Sequence, residues 1–385
     1  MYSLREYGQM IADRARMDPY ALALKAVINP DSVILDIGAA TGIHALLACK
    51  FGARKVFAVE ASDAIHLARD LARENGFGDR IQFFQDLSTN ITLPEPADII
   101  VSDLRGILPP FDNHIPSIID ARTRHLGPKG RLIPKSDTLW AALVSAPFLY
   151  KELLKPWAVP YGLKMEAAKE IALNGWSADN TDLLTSRNLL VEPQVWFELD
   201  YSAVESPHLD RVDMRFRAES PGAAHGWFIW FDSDLTEEIG FSNGPDLKKY
   251  ADVYGRGFFP LKKPVDIDKG DVIYLDISAH LEGGIYIWSW HTRIHSDGDS
   301  GEKIAEFNQS TFYEDSSRNS TIRNGASIIK PSLSDLEQIE LFALNQMDGV
   351  KTIEQIGRLL QGEYPNSFGS WDEVLNFVYD LTRPN

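Results

Sequence analysis

The chain has 385 residues, more than one hydrophobic core ordinarily serves, so two or three domains are expected. Its 55 acidic side chains against 38 basic ones leave a formal net charge of −17, which speaks against a nucleic-acid binder or a partner of anionic membranes and suits a basic acceptor. The single cysteine, Cys49, excludes a disulfide framework and a cysteine-rich metal site; no apolar run reaches membrane-spanning length and the start is polar, so a cytoplasmic protein is expected.

Residues 2–27 read as an amphipathic helical region, with Met10, Ile11, Met17, Tyr20, Leu22 and Leu24 at roughly helical spacing and Pro19 expected to divide it. From residue 33 to residue 134 strands alternate with helices: strands at 33–37, 55–60, 81–85, 97–102 and 130–133, helices at 43–51, 62–75 and 113–125. Such alternation predicts a parallel sheet covered on both faces, with ligands at the carboxyl ends of its strands. Asp36, Glu60, Asp86 and Asp103 all fall at those ends.

After residue 134 the texture changes to runs rich in aromatic and branched residues, at 138–145, 195–201, 211–218, 226–232, 272–280 and 284–291. Glu282-Gly283-Gly284 supplies a hairpin turn between the last two, and the whole reads as an antiparallel sandwich or barrel. Residues 150–190 interrupt it with a helix-leaning insertion, whose Leu153, Leu154, Trp157 and Tyr161 either dock on a partner subunit or cover the barrel's own core. The polar stretch 294–330 reads as a linker. Beyond it come a helix at 336–344, a turn at Asp348-Gly349, a helix opened by the capping pair Thr352 and Gln355, and a helix at 371–381. The expected domains are therefore 1–134, 135–293 and 331–385, joined by 294–330.

The strand and turn Val33-Ile-Leu-Asp-Ile-Gly-Ala-Ala-Thr-Gly42 bring a helix N-terminus and bare backbone up to a ligand. The pattern lacks the middle glycine of the dinucleotide fingerprint and puts an acid before the turn, while Glu60 closes the next strand and could take both ribose hydroxyls. This resembles the S-adenosylmethionine site of class I methyltransferases. The full order of parts resembles the protein arginine methyltransferases over about residues 7–292. Met10-Ile-Ala-Asp13-Arg-Ala-Arg16 with Tyr20 is similar to that family's helix before the sheet, Gly130-Arg-Leu-Ile-Pro134 to its crossover, and Trp230-Phe-Asp232 with Phe241-Ser-Asn-Gly-Pro245 to its barrel strands.

The resemblance implies an α/β fold: a Rossmann-like class I methyltransferase sheet, then an antiparallel β-barrel, then a small helical unit. It implies S-adenosylmethionine held by Met10, Arg16, Asp36, Gly38, Gly42, Glu60, Asp86 and Thr89, with Arg16 on the methionine carboxylate, Met10 near the sulfonium and Thr89 at the place of the family's adenine-contacting acid. The family's two acceptor-clamping glutamates are matched by Asp103, in Ser102-Asp-Leu-Arg-Gly106, and by Asp112, nine positions on. Both arms are shorter by roughly 1.5 Å. The family's Thr-His-Trp loop is absent from residues 250–254, and Arg105 stands where the family has Met. The last unit, through Asn345-Gln-Met-Asp-Gly-Val-Lys-Thr-Ile-Glu-Gln-Ile356, is similar to small winged-helix domains that bind precursor peptides during ribosomal peptide modification.

A guanidinium stays protonated at neutral pH, so carboxylates that hold it in plane and neutralise it serve transfer better than a base does. Asp103 and Asp112 are the candidate catalytic pair; otherwise Asp103 is a loop or helix-capping carboxylate and Asp112 caps the helix beginning at Asn113. Arg105 binds an acidic group on the acceptor or is a solvated loop charge, His44 faces the pocket or is a satisfied or exposed histidine, and His291 is structural. The expected activity is methyl transfer to a guanidino or amino nitrogen of a protein or peptide, by a homodimer with no metal, nucleic-acid or membrane partner. A small-molecule N- or O-methyltransferase and a cofactor-binding scaffold without turnover are the competing readings.

Overall fold

The computed structural model describes residues 3–179, 184–245, 251–296, 301–314, 335–365 and 367–382. The chain divides into two compact units, 1–319 and 320–385.

The larger unit begins with two helices, α1 (Leu4–Ala12) and α2 (Arg14–Val27). Ser3 and Glu6 form a capping box that starts α1, and no residue of α1 is buried. The break between them lies at Asp13 rather than at Pro19, which α2 carries in its interior. Asp13 is extended, and its carboxylate accepts the Arg16 N–H at 3.3 Å, which satisfies a first-turn donor and fixes where the second helix begins.

Strands β1 (Val33–Ile37), β2 (Lys55–Val59), β3 (Ile81–Phe84), β4 (Ala97–Ser102) and β5 (Leu126–Ile133) pair in the order β3-β2-β1-β4-β5, every neighbour parallel. β1 is buried along its whole length, as its unbroken apolar run demands of a sheet covered on both faces. Helices α3 (Ile43–Lys50), α4 (Ala64–Glu74) and α5 (His114–His125) connect the strands. The order reverses between β1 and β4, so the turn after β1 and the loop after β4 splay apart and leave a crevice between them.

From residue 136 the chain builds two antiparallel sheets. One runs β7-β12-β10-β6-β8, from Ser177–Asp179, Arg256–Ile267, Gly222–Asp234, Ser136–Val144 and Gln194–Asp200, with β11 (Gly240–Ser242) on β10. The other runs β15-β14-β13-β9, from Lys303–Ser310, Ile285–His295, Val272–Glu282 and Leu209–Arg217. Trp196, Trp227, Trp288 and Trp290 are fully buried in the shared core, and Phe259 packs edge-on to Trp290 at 5.3 Å. The Gly283-Gly284 hairpin joins β13 to β14 in register.

The stretch read as a linker from residue 294 begins inside β14, and β15 follows it as a paired strand of the sheet. Its inward positions, Ala305, Phe307 and Gln309, alternate with polar ones, and the buried Gln309 amide donates to the Pro260 carbonyl at 3.0 Å. A polar side chain with its bond made inside the fold is what concealed this strand in a polar stretch. The 150–190 insertion carries helices at Pro147–Leu154 and Glu166–Ala172; Leu153, Leu154 and Trp157 are partly covered, whereas Tyr161 stands fully exposed in the left-handed region at φ +54°. Residues 180–183, 246–250 and 315–334 fall outside the described residues.

The second unit contains helices at Asp335–Gln346, Ile353–Glu363 and Trp371–Asp380. Thr352 and Gln355 form the anticipated capping box. Ile339, Ala343, Ile356, Leu360, Val374 and Val378 make a core of its own.

Candidate active site

The crevice at the reversal of strand order is a cavity of about 770 Å³, walled by α1, by the turn after β1, by the ends of β2 and β3 and by the loop after β4. The turn is held from below: the N–H groups of Gly38 and Ala39 both donate to the Val59 carbonyl, at 2.9 and 3.0 Å. Gly38 has φ +69°, and a Cβ built there would lie 2.3 Å from Leu104 Cδ2, so a side chain at this position would strain the turn and displace Leu104.

Glu60 ends β2 facing the cavity. Its Oε2 accepts the Ala40 N–H at 3.0 Å and its Oε1 the Ser62 N–H at 2.8 Å, which fixes the carboxylate and leaves the other lone pairs of both oxygens toward the space. Asp36 lies behind the turn, without exposure, where its Oδ2 accepts the Ala45 N–H at 3.0 Å and its Oδ1 makes no hydrogen bond, with His44 Nδ1 3.9 Å away. Burial drives its carboxyl up to about 7 despite that bond. His44 stacks on Tyr20 at 4.7 Å between ring centroids; burial, then the nearby Arg16 guanidinium, pushes its imidazole down to about 3, so it is neutral.

At the other end Asp103 is buried in a network of charges. Its Oδ2 accepts from Arg16 Nε and from the Tyr254 hydroxyl, and its Oδ1 from Arg105 Nε at 3.1 Å. Burial alone pushes the Asp103 carboxyl up, but Arg16 and Arg105 outweigh it and hold the group below the usual carboxylate range. Arg16 Nη1 donates to the Met10 carbonyl at 3.1 Å. Arg105 continues the network into the barrel, to Asp137 at 2.9 Å, which in turn accepts from the Tyr201 hydroxyl at 2.5 Å. Asp112 follows in the left-handed region at φ +42°, exposed on the cavity rim, a backbone conformation an aspartate tolerates better than most residues.

The structure thus brings Met10, Arg16, Gly38, Glu60, Asp86, Asp103 and Asp112 onto one cavity. Asp36 and Gly42 support its turn from behind: Gly42, at φ +84°, ends the turn and begins α3. Thr89 is exposed and off the wall, where Leu87 and Ser88 stand beside Asp86 instead. The cap of α5 is Asn113, not Asp112. Arg105 is neither solvated nor offered to an acceptor's acid, since it is wholly buried on the chain's own acids. His44 lines the cavity, and His291 lies on the sheet between Asp276 and Glu306. Two residues of this network escaped the sequence: Tyr254, which donates to Asp103 from the loop that lacks the histidine motif, and Asp137, which accepts from Arg105. The cation at 105, where the family has Met, was the one available signal, since a buried arginine requires an acid to answer it.

A family model described as the arginine methyltransferase oligomerization subdomain matches residues 135–283, and one described as ribosomal protein L11 methyltransferase (PrmA) matches residues 21–134. The probable protein arginine N-methyltransferase 6 of Arabidopsis thaliana is 29% identical over 235 residues, which span 60% of this chain and 54% of that protein. The protein arginine N-methyltransferase 2 of Mus musculus is 30% identical over 288 residues, 71% of this chain and 63% of that protein. The chain therefore spans about half to three-fifths of the length of these curated relatives. Among solved structures, Arabidopsis thaliana protein arginine methyltransferase 10 superposes with a TM-score of 0.67 at 22% identity, covering 80% of this chain and 97% of that one. The Trypanosoma brucei PRMT1 enzyme-prozyme heterotetrameric complex with AdoHcy gives a TM-score of 0.69 at 19% identity, covering 79% and 96%. A methyltransferase-type nucleotide sheet followed directly by an arginine methyltransferase oligomerization subdomain, with curated protein arginine methyltransferases aligned over 60–71% of the chain, makes this chain similar to the protein arginine methyltransferase family across both parts.

Proposed function

We propose that this chain is an S-adenosylmethionine-dependent methyltransferase whose acceptor is an arginine side chain of a protein or peptide. The observation that carries the reading is the single cavity with an anchored carboxylate, Glu60, at one end and an ionised one, Asp103, at the other.

The residues fit the cofactor. Glu60 is held by two backbone N–H groups with acceptor capacity left for the ribose hydroxyls, and Asp86 and Ser88 wall the adenine end. Arg16 Nη2 makes no hydrogen bond among the described residues and is the donor for the methionine carboxylate, with Met10 on the same wall. When bound, S-adenosylmethionine supplies a methyl group activated by its sulfonium charge. The chain's own task is then to place a nitrogen in line with that methyl and to manage charge. Asp103 is held too far below neutrality to take a proton; with its charge answered by Arg16 and Arg105 it forms the floor under the acceptor site, while Asp112 on the rim receives the acceptor's N–H.

The same reading makes the chain a homodimer in the cytoplasm. The match to an oligomerization subdomain and the exposed Phe148, Tyr161 and Leu163 of the insertion support the first. Among the described residues no helix is long and apolar enough to cross a membrane.

The test is incubation with methyl-labelled S-adenosylmethionine and a host-cell extract, followed by hydrolysis. Label in methylated arginine supports the reading; label confined to small molecules, or none, removes it.

A further inference from the structure

The acidic end of the cavity already holds two guanidinium groups of the chain's own. Arg105 lines the cavity although its side chain has no exposure. All five of its N–H groups are used: Nε on Asp103, Nη1 on Asp137 and on Ser233 Oγ at 2.7 Å, Nη2 on the hydroxyls of Tyr20 and Tyr254 at 2.5 and 3.2 Å. The rings of Tyr20, Phe231, Phe241 and Tyr254 surround its Cζ at 5.2 to 5.9 Å. Aromatic faces with carboxylates at the edges are the surroundings that recognise a planar cation. Here the protein supplies that cation itself.

The consequence falls on Asp103. A carboxylate offers about four lone pairs. Arg16, Tyr254 and Arg105 take three of them, so no pair of parallel bonds remains for a guanidinium from outside. Arg16 and Arg105 also balance Asp103 and Asp137, leaving this floor without net charge. Asp112 is different: among the described residues nothing donates to its carboxylate and no cation pairs with it, and it lines the same cavity.

We propose that Arg105 is the residue that determines acceptor selection: by satisfying Asp103 from within, it leaves the acceptor nitrogen to be held at one point, by Asp112. The acceptor class that follows, resting on the methyltransferase reading above, is an arginine side chain in a peptide whose other residues supply most of the affinity. A free guanidinium or a minimal arginine peptide binds weakly.

The measurement is calorimetric titration of acetyl-Gly-Arg-Gly-amide, without cofactor, into the full chain and into the double variant Arg105→Met/Asp137→Ala, which removes one charge of each sign. The double variant should bind at least about tenfold more tightly, because Asp103 regains the lone pair that Arg105 held, while the citrulline peptide gains nothing. Equal or weaker binding by a variant with unaltered circular dichroism overturns the proposal. Should the double variant not fold, Arg105→Lys serves: its single ammonium cannot span Asp103 and Asp137 together, so tighter binding by severalfold is expected and unchanged affinity overturns the assignment. Because peptide affinity is read without cofactor, absence of S-adenosylmethionine binding or of label transfer would remove the methyltransferase reading while this comparison still decides the role of Arg105.

Discussion

Arg105 and Asp137 meet at 2.9 Å with neither side chain exposed, and the contact ties the loop after β4 to the first strand of the antiparallel sheets. A buried charge left without its partner is far more costly than the pair is worth. Asp137→Ala alone should therefore destabilise the larger unit by about 3–5 kcal/mol, whereas Arg105→Met/Asp137→Ala together should cost much less. Chemical denaturation of both variants checks this; equal losses would show that the ion pair is not the source.

Glu60 is expected to supply the ribose contact. Glu60→Gln replaces one anchored oxygen with an amide nitrogen facing either the Ala40 or the Ser62 N–H, and loses the charge-assisted bonds to the hydroxyls. With each such bond worth about 1.5–3 kcal/mol, affinity for S-adenosylhomocysteine should fall by about 10- to 100-fold. Calorimetry that finds the affinity unchanged would take Glu60 out of the ribose site.

The raised Asp36 carboxyl sets a pH dependence of known sign. With about 7 in the folded chain against an ordinary 3.8, the folded state holds a proton through this window that the unfolded state has released, so this group makes stability fall as pH rises from about 4 to 7. His44, at about 3 against 6.5, acts oppositely, and its contribution rises with pH between those values. Asp36→Asn keeps an oxygen for the Ala45 N–H and removes only the falling component. Relative to the parent, its Tm without ligand should climb between pH 5 and pH 8. A difference that stays constant over that range would refute the assignment.

The second unit owns its core, so damage there should stay there. Leu360 is fully buried among Ile339, Ala343, Val374 and their neighbours, and Leu360→Ala should cost that unit about 2–5 kcal/mol. Scanning calorimetry should show one transition moved down and the transition of the larger unit unmoved. A shift of both would show that the two units melt together.

What could be read in advance was whatever the backbone dictates locally. Gly38 and Glu60 announce themselves because a close approach and a strand-end acid have few other uses, and the capping pair Thr352 with Gln355 follows the same logic, whereas the cap at Asp13 was passed over for a break at Pro19. The hairpin at Gly283-Gly284 needs positive φ at both residues and has it. Tyr254, Asp137 and Arg105 were obscure for the opposite reason. Their roles depend on contacts across 149 and 32 positions of sequence, and a buried arginine between two acids has the composition of a solvated loop. Gln309 hid β15 in the same way, a polar side chain turned inward beside Ala305 and Phe307.

Asp13 divides its two oxygens: Oδ1 takes the Arg16 N–H that begins α2, and Oδ2 takes the Val253 N–H from the loop before β12. One side chain thus pins the root of α2, and Arg16 with it, to the antiparallel sheet. α1, on the far side of that pin, carries cavity-facing Tyr7, Met10 and Ile11, of which Tyr7 and Met10 are half-buried and none is fully buried. The cavity is thus bounded on one side by a helix without a fully buried residue, and beneath it by charged groups locked in register with the antiparallel sheet.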